Sequence, residues 1–321
     1  MATWLITGGC GFIGSHLADA LLARGDGVRV IDDLSTGKRE NLSPACELVV
    51  GDVTDPATVA RAMEGVDGCW HLAAVASVER STEAWIECHR VNLTGTIGVL
   101  DAARRAGARG RAIPVVYASS AAVYGDGPDL PSTEASPTRP LTAYGADKLG
   151  SELHARVAAR IHGVPTTGLR FFNVHGPRQD PFSPYSGVIS IFARKILDRQ
   201  PLLIHGDGGQ SRDFISVADV IRFLLRAMER TRDGRAQIYN VCTGDKVTIV
   251  ELARVLFRLC GHEVEMHHGA ARPGDIRDSL GDPERAAEAL GVRAVWSLER
   301  ALRLTLDGLT DPTLNLTRFG A

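Results

Sequence analysis

Over the first 175 residues of the chain, short apolar runs alternate with stretches whose apolar residues return every three or four positions. TWLITG, VRVIDD, CELVVGD, CWHLAA, IPVVYASS and TTGLRFFN have the length and boundaries of buried strands. Segments between them, such as FIGSHLADALLARG, read as helices. Strands alternating with helices predict an α/β fold built on a doubly wound parallel sheet. After about residue 175 the texture changes: GPRQDPFSPYSG is rich in Pro and Gly and reads as a loop. Farther on, Ser216 and Asp219 precede the helical run VIRFLLRAM, and Thr248 with Glu251 makes a capping-box pattern before LARVLFRL. The pattern predicts a nucleotide-binding domain over residues 1–175 and a smaller substrate-binding domain over 176–321. Some segments of the second are expected to return to the first, with the site in the crevice between them.

Composition narrows the function classes. A chain of 321 residues with 44% hydrophobic content has ample core-forming material. Its 36 basic and 38 acidic residues give a net charge of -2, with no general attraction to nucleic acid or membrane. The N-terminus has neither a basic leader nor a signal-like apolar run, and no stretch reaches the roughly 20 apolar residues of a membrane span. A cytoplasmic protein is expected. Cys10, Cys46, Cys69, Cys88, Cys242 and Cys260 are scattered, none at C-x-x-C spacing, which suits free thiols in a reducing compartment. His267-His268 belongs to no ligand-like cluster, so no metal is expected.

The chemistry begins at TGGCGFIG, directly after the first strand-like run. Gly9, Gly11 and Gly14 spell G-x-G-x-x-G, and Gly8, Gly11 and Gly14 spell G-x-x-G-x-x-G. Either pattern gives a tight turn opening a helix, whose free N–H groups and dipole suit a pyrophosphate. Asp32 ends the second strand-like run 18 residues beyond Gly14, where a carboxylate accepts from ribose hydroxyls and repels a 2′-phosphate. NAD is therefore favoured over NADP. Asp52, at the end of the third run, is a candidate partner for adenine.

In TAYGADK, Tyr144 and Lys148 stand four apart, on one face of a helix. A neighbouring ammonium lowers a phenol pKa and prepares tyrosine to act as a base. Upstream, VVYASS ends a strand-like run and offers Ser119 and Ser120 as hydroxyls to share the substrate's proton.

With these motifs in order, the chain resembles the extended short-chain dehydrogenases/reductases, and among them the UDP-sugar 4-epimerases. TGGCGFIGSHL, VIDDLSTGKRENL, GDVTD, HLAA, RVNLTGT, YASSAAVYGD, YGADK, RFFNVHGPRQDP, GDGGQSRDFISVADV and RPGDIRDS carry the resemblance over nearly the whole chain. It implies a Rossmann-type nucleotide-binding domain and selects Gly8, Gly11 and Gly14, leaving Gly9 as a turn accommodation. It implies that NAD is lined by Phe12 and Ile13 of the glycine run and by Asp32, Asp33, Ser35, Thr36 and Gly37. Asp52, Val53, Leu72, Ala73, Ala74, Ala76, Asn92, Ala118, Phe171 and Val174 complete that lining, with Tyr144 and Lys148. Ser120, Tyr144 and Lys148 match the catalytic Ser/Thr, the base and its helper. Asn173, Val188, His205, Arg212, Arg272 and Asp275 match the substrate-binding positions, with Ser77, Ser120 and Tyr144 near the hexose. The two arginines would grip the diphosphate.

Two departures sharpen the reading. Related 4,6-dehydratases carry Asp-Glu after the catalytic Thr, and related decarboxylases carry Glu at the second position; here Ala121 and Ala122 follow Ser120. Dehydration needs such acid/base groups, whereas C4 epimerisation needs one shared proton and one hydride. His175 stands where Tyr is more usual and is assigned to packing. In epimerases restricted to plain hexoses, a bulky Tyr lies seven residues after the Arg of R-x-G-D; Ser279 occupies that place. The resemblance thus implies UDP-GlcNAc/UDP-GalNAc as substrates, with UDP-Glc/UDP-Gal as well. Three rivals stay open: a UDP-glucuronate 4-epimerase using Arg80, Arg178 or Arg194, an oxidoreductase with net NAD(P)H turnover, and a non-catalytic NAD-binding regulator. A homodimer paired through VNLTGTIGVLDAARRAG and DKLGSELHARVAARIHG is also implied.

Overall fold

A computed structural model describes residues 2–107, 112–127, 129–181, 187–231, 235–271, 276–311 and 314. In chain order the strands are β1 (Thr3–Thr7), β2 (Gly27–Asp32), β3 (Glu47–Val50), β4 (Gly68–His71), β5 (Val115–Ser120), β6 (Thr166–Phe171) and β7 (Asn173–His175). They continue with β8 (Leu202–His205), β9 (Ser211–Arg212), β10 (Phe214–Ser216), β11 (Ala236–Val241), β12 (Val247–Thr248), β13 (Met266–Gly269) and β14 (Asp278–Ser279). The helices are α1 (Phe12–Ala23), α2 (Pro56–Met63), α3 (Val78–Glu83), α4 (Trp85–His89), α5 (Gly95–Ala106) and α6 (Ala143–His162). After them come α7 (Val188–Leu197), α8 (Val217–Arg230), α9 (Ile249–Cys260), α10 (Glu284–Leu290) and α11 (Leu298–Thr310).

All six strand-like runs form strands of one seven-stranded parallel sheet, in the order β11-β6-β5-β4-β1-β2-β3. The seventh, β11, was not anticipated: AQIYNV carries two polar side chains, and only its pairing with β6 makes it a sheet strand. Alternation along β1 decides the two faces. Trp4 and Ile6 join Leu17, Leu21, Phe223 and Leu224 of α1 and α8, while Leu5 joins Val59, Met63, Val99 and Ala155 of α2, α5 and α6. Thus α8 and β11, from beyond residue 175, pack into the first lobe.

A separate core of Phe192, Ile196, Ile204, Phe214, Leu256, Phe257 and Leu302 holds α7, α9 and α11 around β8 and β10. The capping box of α9 is present, with Thr248 accepting from Glu251 N–H and Glu251 reaching back to Thr248 N–H. Ser216 caps α8 by accepting from Ala218 N–H. Asp219 does not cap. It lies inside the first turn of α8 and accepts from the backbone N–H groups of Val295 and Trp296, tying the C-terminal segment to that helix. Among the described residues, no helix is long and apolar enough to cross a membrane.

Candidate active site

A parallel sheet puts the carboxyl ends of its strands on one edge, and the order changes direction at β1, between β4 and β2. The glycine turn leaves β1 at that point. Gly8 makes the turn in the left-handed region at φ 71°, and a Cβ there would lie 2.8 Å from the Ala73 backbone. At Gly14 a Cβ would lie 2.3 Å from Gly8 O, so only glycine lets helix and turn close. Gly9 has another reason to be small: a Cβ would meet both Val30 methyls at 2.6 Å. It packs onto β2 rather than turning the chain.

Gly11 is the N-cap of α1 and offers no side-chain cap, so the first-turn N–H groups of Phe12, Ile13 and Gly14 are left without one, as an anion-binding helix start requires. Asp32 is buried beside this turn and accepts from Cys10 N–H and Leu34 N–H, both at 2.9 Å. Burial raises its pKa against those two hydrogen bonds. Each carboxylate oxygen keeps a lone pair for a ribose hydroxyl. Gly37 closes over it, since a Cβ there would lie 2.8 Å from Asp32 Oδ1. Asp33 accepts from Ser35, ordering the loop that carries Thr36. These residues fit a dinucleotide with free ribose hydroxyls.

The remaining lining positions come from the next strand ends. Asp52 accepts from Thr54 N–H and from Arg90, whose guanidinium also reaches Thr54; these contacts lower its pKa against the rise from burial. Val53 is buried beneath α5. After β4, the N–H groups of Leu72 and Ala73 donate to Thr7 Oγ1. Asn92 is buried and spends its amide on Val75, accepting from N–H at 2.8 Å and donating to O at 3.2 Å. It therefore shapes the loop of Ala73, Ala74 and Ala76 through the backbone. Phe171 ends β6 in the core, and Val174 packs beside Phe12 and Ile13.

Tyr144 enters on the first turn of α6, capped by Thr142, with its N–H donating to Ser81 Oγ. Its hydroxyl lies close enough to the Ser120 side chain for the serine hydroxyl to pull the phenol pKa down. Lys148, one turn on, donates from Nζ to Ala118 O at 2.9 Å and stands 5.7 Å from the Tyr144 ring centre. The two serines separate here: Ser119 donates to Glu152, and only Ser120 turns toward Tyr144. The electrostatics differ from the sequence expectation. Burial raises the Tyr144 pKa, opposed by Ser120, and burial lowers Lys148 to about 8. The chain alone therefore keeps the phenol protonated at neutral pH.

Among the positions expected to bind substrate, Asn173 donates from its N–H and amide to Asp213 O. Val188 opens α7, and His205 Nδ1 lies 3.2 Å from Ala270 O. Arg212 and Ser279 are paired in parallel register, β9 against β14. Ser77 is buried and caps α3 by accepting from Arg80 N–H. Arg272 and Asp275 lie outside the described residues. His175 is buried, bonded through Nδ1 to Thr305 Oγ1 and edge-on to Phe214; burial drives its pKa to about 3.

Other supporting groups were not anticipated. His71 is buried between Thr7 Oγ1 and Thr96 Oγ1; since Thr96 donates to Asn92 O, the imidazole carries its proton on Nε2. Glu152 grips Arg170 in a buried two-pronged pair at 2.8 and 2.7 Å. Glu152 lies four residues after Lys148, a spacing that signals its face of α6, but its partner on β6 is visible only in three dimensions.

Residues 4–242 match the NAD dependent epimerase/dehydratase family. A UDP-glucose 4-epimerase of Mycolicibacterium smegmatis is 36% identical over 310 residues, covering 94% of this chain and 97% of that protein. The UDP-glucose 4-epimerase of Thermotoga maritima, solved with UDP-glucose, superposes with a TM-score of 0.91 at 34% identity, covering 97% of this chain and 100% of that one. A UDP-N-acetylglucosamine 4-epimerase from Methanobrevibacter ruminantium, in complex with UDP-N-acetylmuramic acid, has the same TM-score of 0.91 at 32% identity, covering 97% and 99%. UDP-glucuronic acid decarboxylases of Arabidopsis thaliana also match, at 31% identity. The chain belongs to the NAD-dependent epimerase/dehydratase family of extended short-chain dehydrogenases/reductases, and it is an NAD-dependent enzyme.

Proposed function

We propose that this chain inverts C4 of a UDP-sugar, with UDP-GlcNAc and UDP-GalNAc as its pair and UDP-Glc and UDP-Gal also accepted. One observation carries the reading: Tyr144 meets Ser120 and is backed by Lys148, while Ala121 and Ala122, the next two positions, hold no acid or base. A 4,6-dehydratase or decarboxylase would require a carboxyl group there. Proton transfer at C4 requires only what is present.

NAD, when bound, supplies a two-electron acceptor for the C4 hydrogen and gives it back. Tyr144 takes the C4 hydroxyl proton as the C4–H bond breaks, with Ser120 sharing that proton. The ammonium of Lys148 beside the ring and the positive charge that NAD would bring to the site favour the phenolate, against the burial that keeps the phenol protonated in the chain alone. Tyr144 then returns the proton to the C4 oxygen after the sugar has presented its other face. Atoms and redox state are restored on each turnover. Arg212 and Arg272 hold the diphosphate meanwhile, so the sugar can turn without leaving.

The uronate alternative loses support from the ion pairs. Arg80 pairs with Glu87 at 3.0 Å, Arg178 with Asp19 at 2.7 Å and Arg194 with Asp198 at 2.8 Å. All three candidate carboxylate anchors face acidic partners of their own.

The chain also pairs with a second copy through α5 and α6. Ile97, Leu153, Val157 and Ile161 stand exposed there, the last three at helical i, i+4, i+8 spacing. Purified protein given each UDP-sugar without added NAD(H) should form the C4 epimer, and Tyr144→Phe should slow this about 10²–10⁴-fold. Full epimerisation by the variant would reject the assignment.

A further inference from the structure

We propose that the segment 177–180 is a clasp that holds NAD in its cleft, through Arg178 on Asp19 and Asp180 on Lys38. The inference rests on the reading of the glycine turn and Asp32 as the cradle of the dinucleotide. It explains what the cradle alone does not: how the cofactor stays in place while a sugar enters, turns and leaves.

The segment follows β7 and runs along the flank of α1. At Gly176 a Cβ would lie 2.4 Å from Val217 and 3.6 Å from Phe12, so the chain passes against the first turn of that helix. Pro177 O then accepts from His16 Nε2–H at 3.0 Å, which places the imidazole proton. Arg178 follows, donating to Asp19 Oδ2 at 2.7 Å with both side chains 9% exposed. Phe12, His16 and Asp19 are spaced i, i+4, i+7 and form one face of α1. Asp180 continues past the helix to Lys38 Nζ, 3.1 Å away.

Lys38 is well placed to be the far anchor. Its backbone N–H donates to Cys10 O within the glycine turn, and it follows Gly37, which closes on Asp32. The segment thus touches both structures that frame the dinucleotide: the helix behind the pyrophosphate and the loop beyond the adenosine ribose. Its anchors lie about half the chain away in sequence, at |i−j| of 161 for His16–Pro177 and 159 for Asp19–Arg178.

Two features make it a clasp rather than a permanent weld. Arg178 is held at φ 65°, in the left-handed region that a residue with a side chain adopts only under constraint. Its buried ion pair supplies that constraint, because separating one partner strands a charge. Against this, Arg178 Nη1, His16 Nδ1 and Gln179 Oε1 are buried without hydrogen-bond partners among the described residues. Each gains water when the segment lifts. Closed and open states are therefore separated by a local rearrangement that leaves the sheet intact.

The test measures NAD bound per chain after gel filtration, and its release rate in a chase with an NAD analogue. Wild type should retain NAD. Asp19→Asn/Arg178→Met, which removes both charges together, should release it at least about tenfold faster. Asp180→Asn, which breaks only the exposed bridge, should release it about two- to fivefold faster. Thermal midpoints with saturating NAD should stay within a few degrees of wild type. Unchanged release from the folded double variant overturns the clasp. If that variant does not fold, unchanged release from Asp180→Asn overturns it instead. A wild-type chain that neither carries nor binds NAD overturns the cradle reading, and the clasp with it.

Discussion

Arg212 and Ser279 face each other in a parallel pair of two-residue strands, and the Arg212 guanidinium donates to the carbonyls of Ser211 and Arg277. In register, their side chains project to the same side of the ribbon. Under the proposed role of Arg212 on the diphosphate, the attached sugar would come near position 279. The neighbouring pair fixes this arrangement: Ser211 donates to Asp278, and Ser211 N–H donates to Arg277 O.

The size of residue 279 should set the sugar. Ser279→Tyr should lower kcat/KM for UDP-GlcNAc by about 10²-fold or more, since filling a pocket excludes a bulky substituent more strongly than a lost contact weakens binding. Turnover of UDP-Glc should change only a few-fold. Parallel assays on both sugars decide, and equal losses would contradict a gate.

Lys148 costs stability at neutral pH. Its folded pKa, about 8, lies below its ordinary value of 10.5 because burial penalises the ammonium. Between those values the unfolded chain binds more protons, so this group makes stability rise as pH climbs from 8 toward 10.5 and is unfavourable at neutral pH. Lys148→Met should abolish epimerisation without lowering the melting temperature at pH 7. A large drop in melting temperature would show that the lysine's hydrogen bond to Ala118 O outweighs its desolvation.

Acid should unfold the protein through its buried histidines. His16, His71 and His175 each have their pKa lowered from 6.5 to about 3 by burial. They stay neutral when folded and take up protons when unfolded, so stability present above pH 6.5 is lost as pH falls below it. Each proton contributes about 1.4 kcal/mol per pH unit, and three give a limiting slope of about 4. Unfolding free energies from urea titrations between pH 6 and 5 should show that slope, and His175→Gln should flatten it by about a third.

A charge on the apolar face should abolish the proposed pairing of two copies. Val157 is 50% exposed, between Leu153 and Ile161 on α6. Val157→Asp should convert a dimer into a monomer in sedimentation, with the fold retained by circular dichroism. A variant that still sediments as the wild type would place the contact elsewhere.

Local pattern made much of this legible. The apolar runs before Gly8, Asp32, Asp52, Leu72 and Asn173 had to be strands, because nothing else buries such short segments on both faces. Glycines in a turn, Tyr144 four before Lys148, and a capping box at Thr248 are all local in sequence, so their consequences are local too. Long-range choices were not legible. Whether Ser119 or Ser120 meets Tyr144 depends on Glu152 claiming the first. Gly9 is constrained by Val30 across the strand pair, and AQIYNV becomes a sheet strand only beside β6.

The chain's own sequence determined the strand-helix alternation, the glycine turn, the placing of Tyr144 and Lys148 on one helix face and the alanines after Ser120, since each depends on residue type at short spacing. Tertiary structure alone decided which serine is left to face Tyr144, that Arg212 neighbours Ser279, that burial raises the Tyr144 pKa, and that Arg178 meets Asp19. Those outcomes are set by contacts between residues tens to hundreds of positions apart. Their energies depend on burial, which no short window of sequence contains.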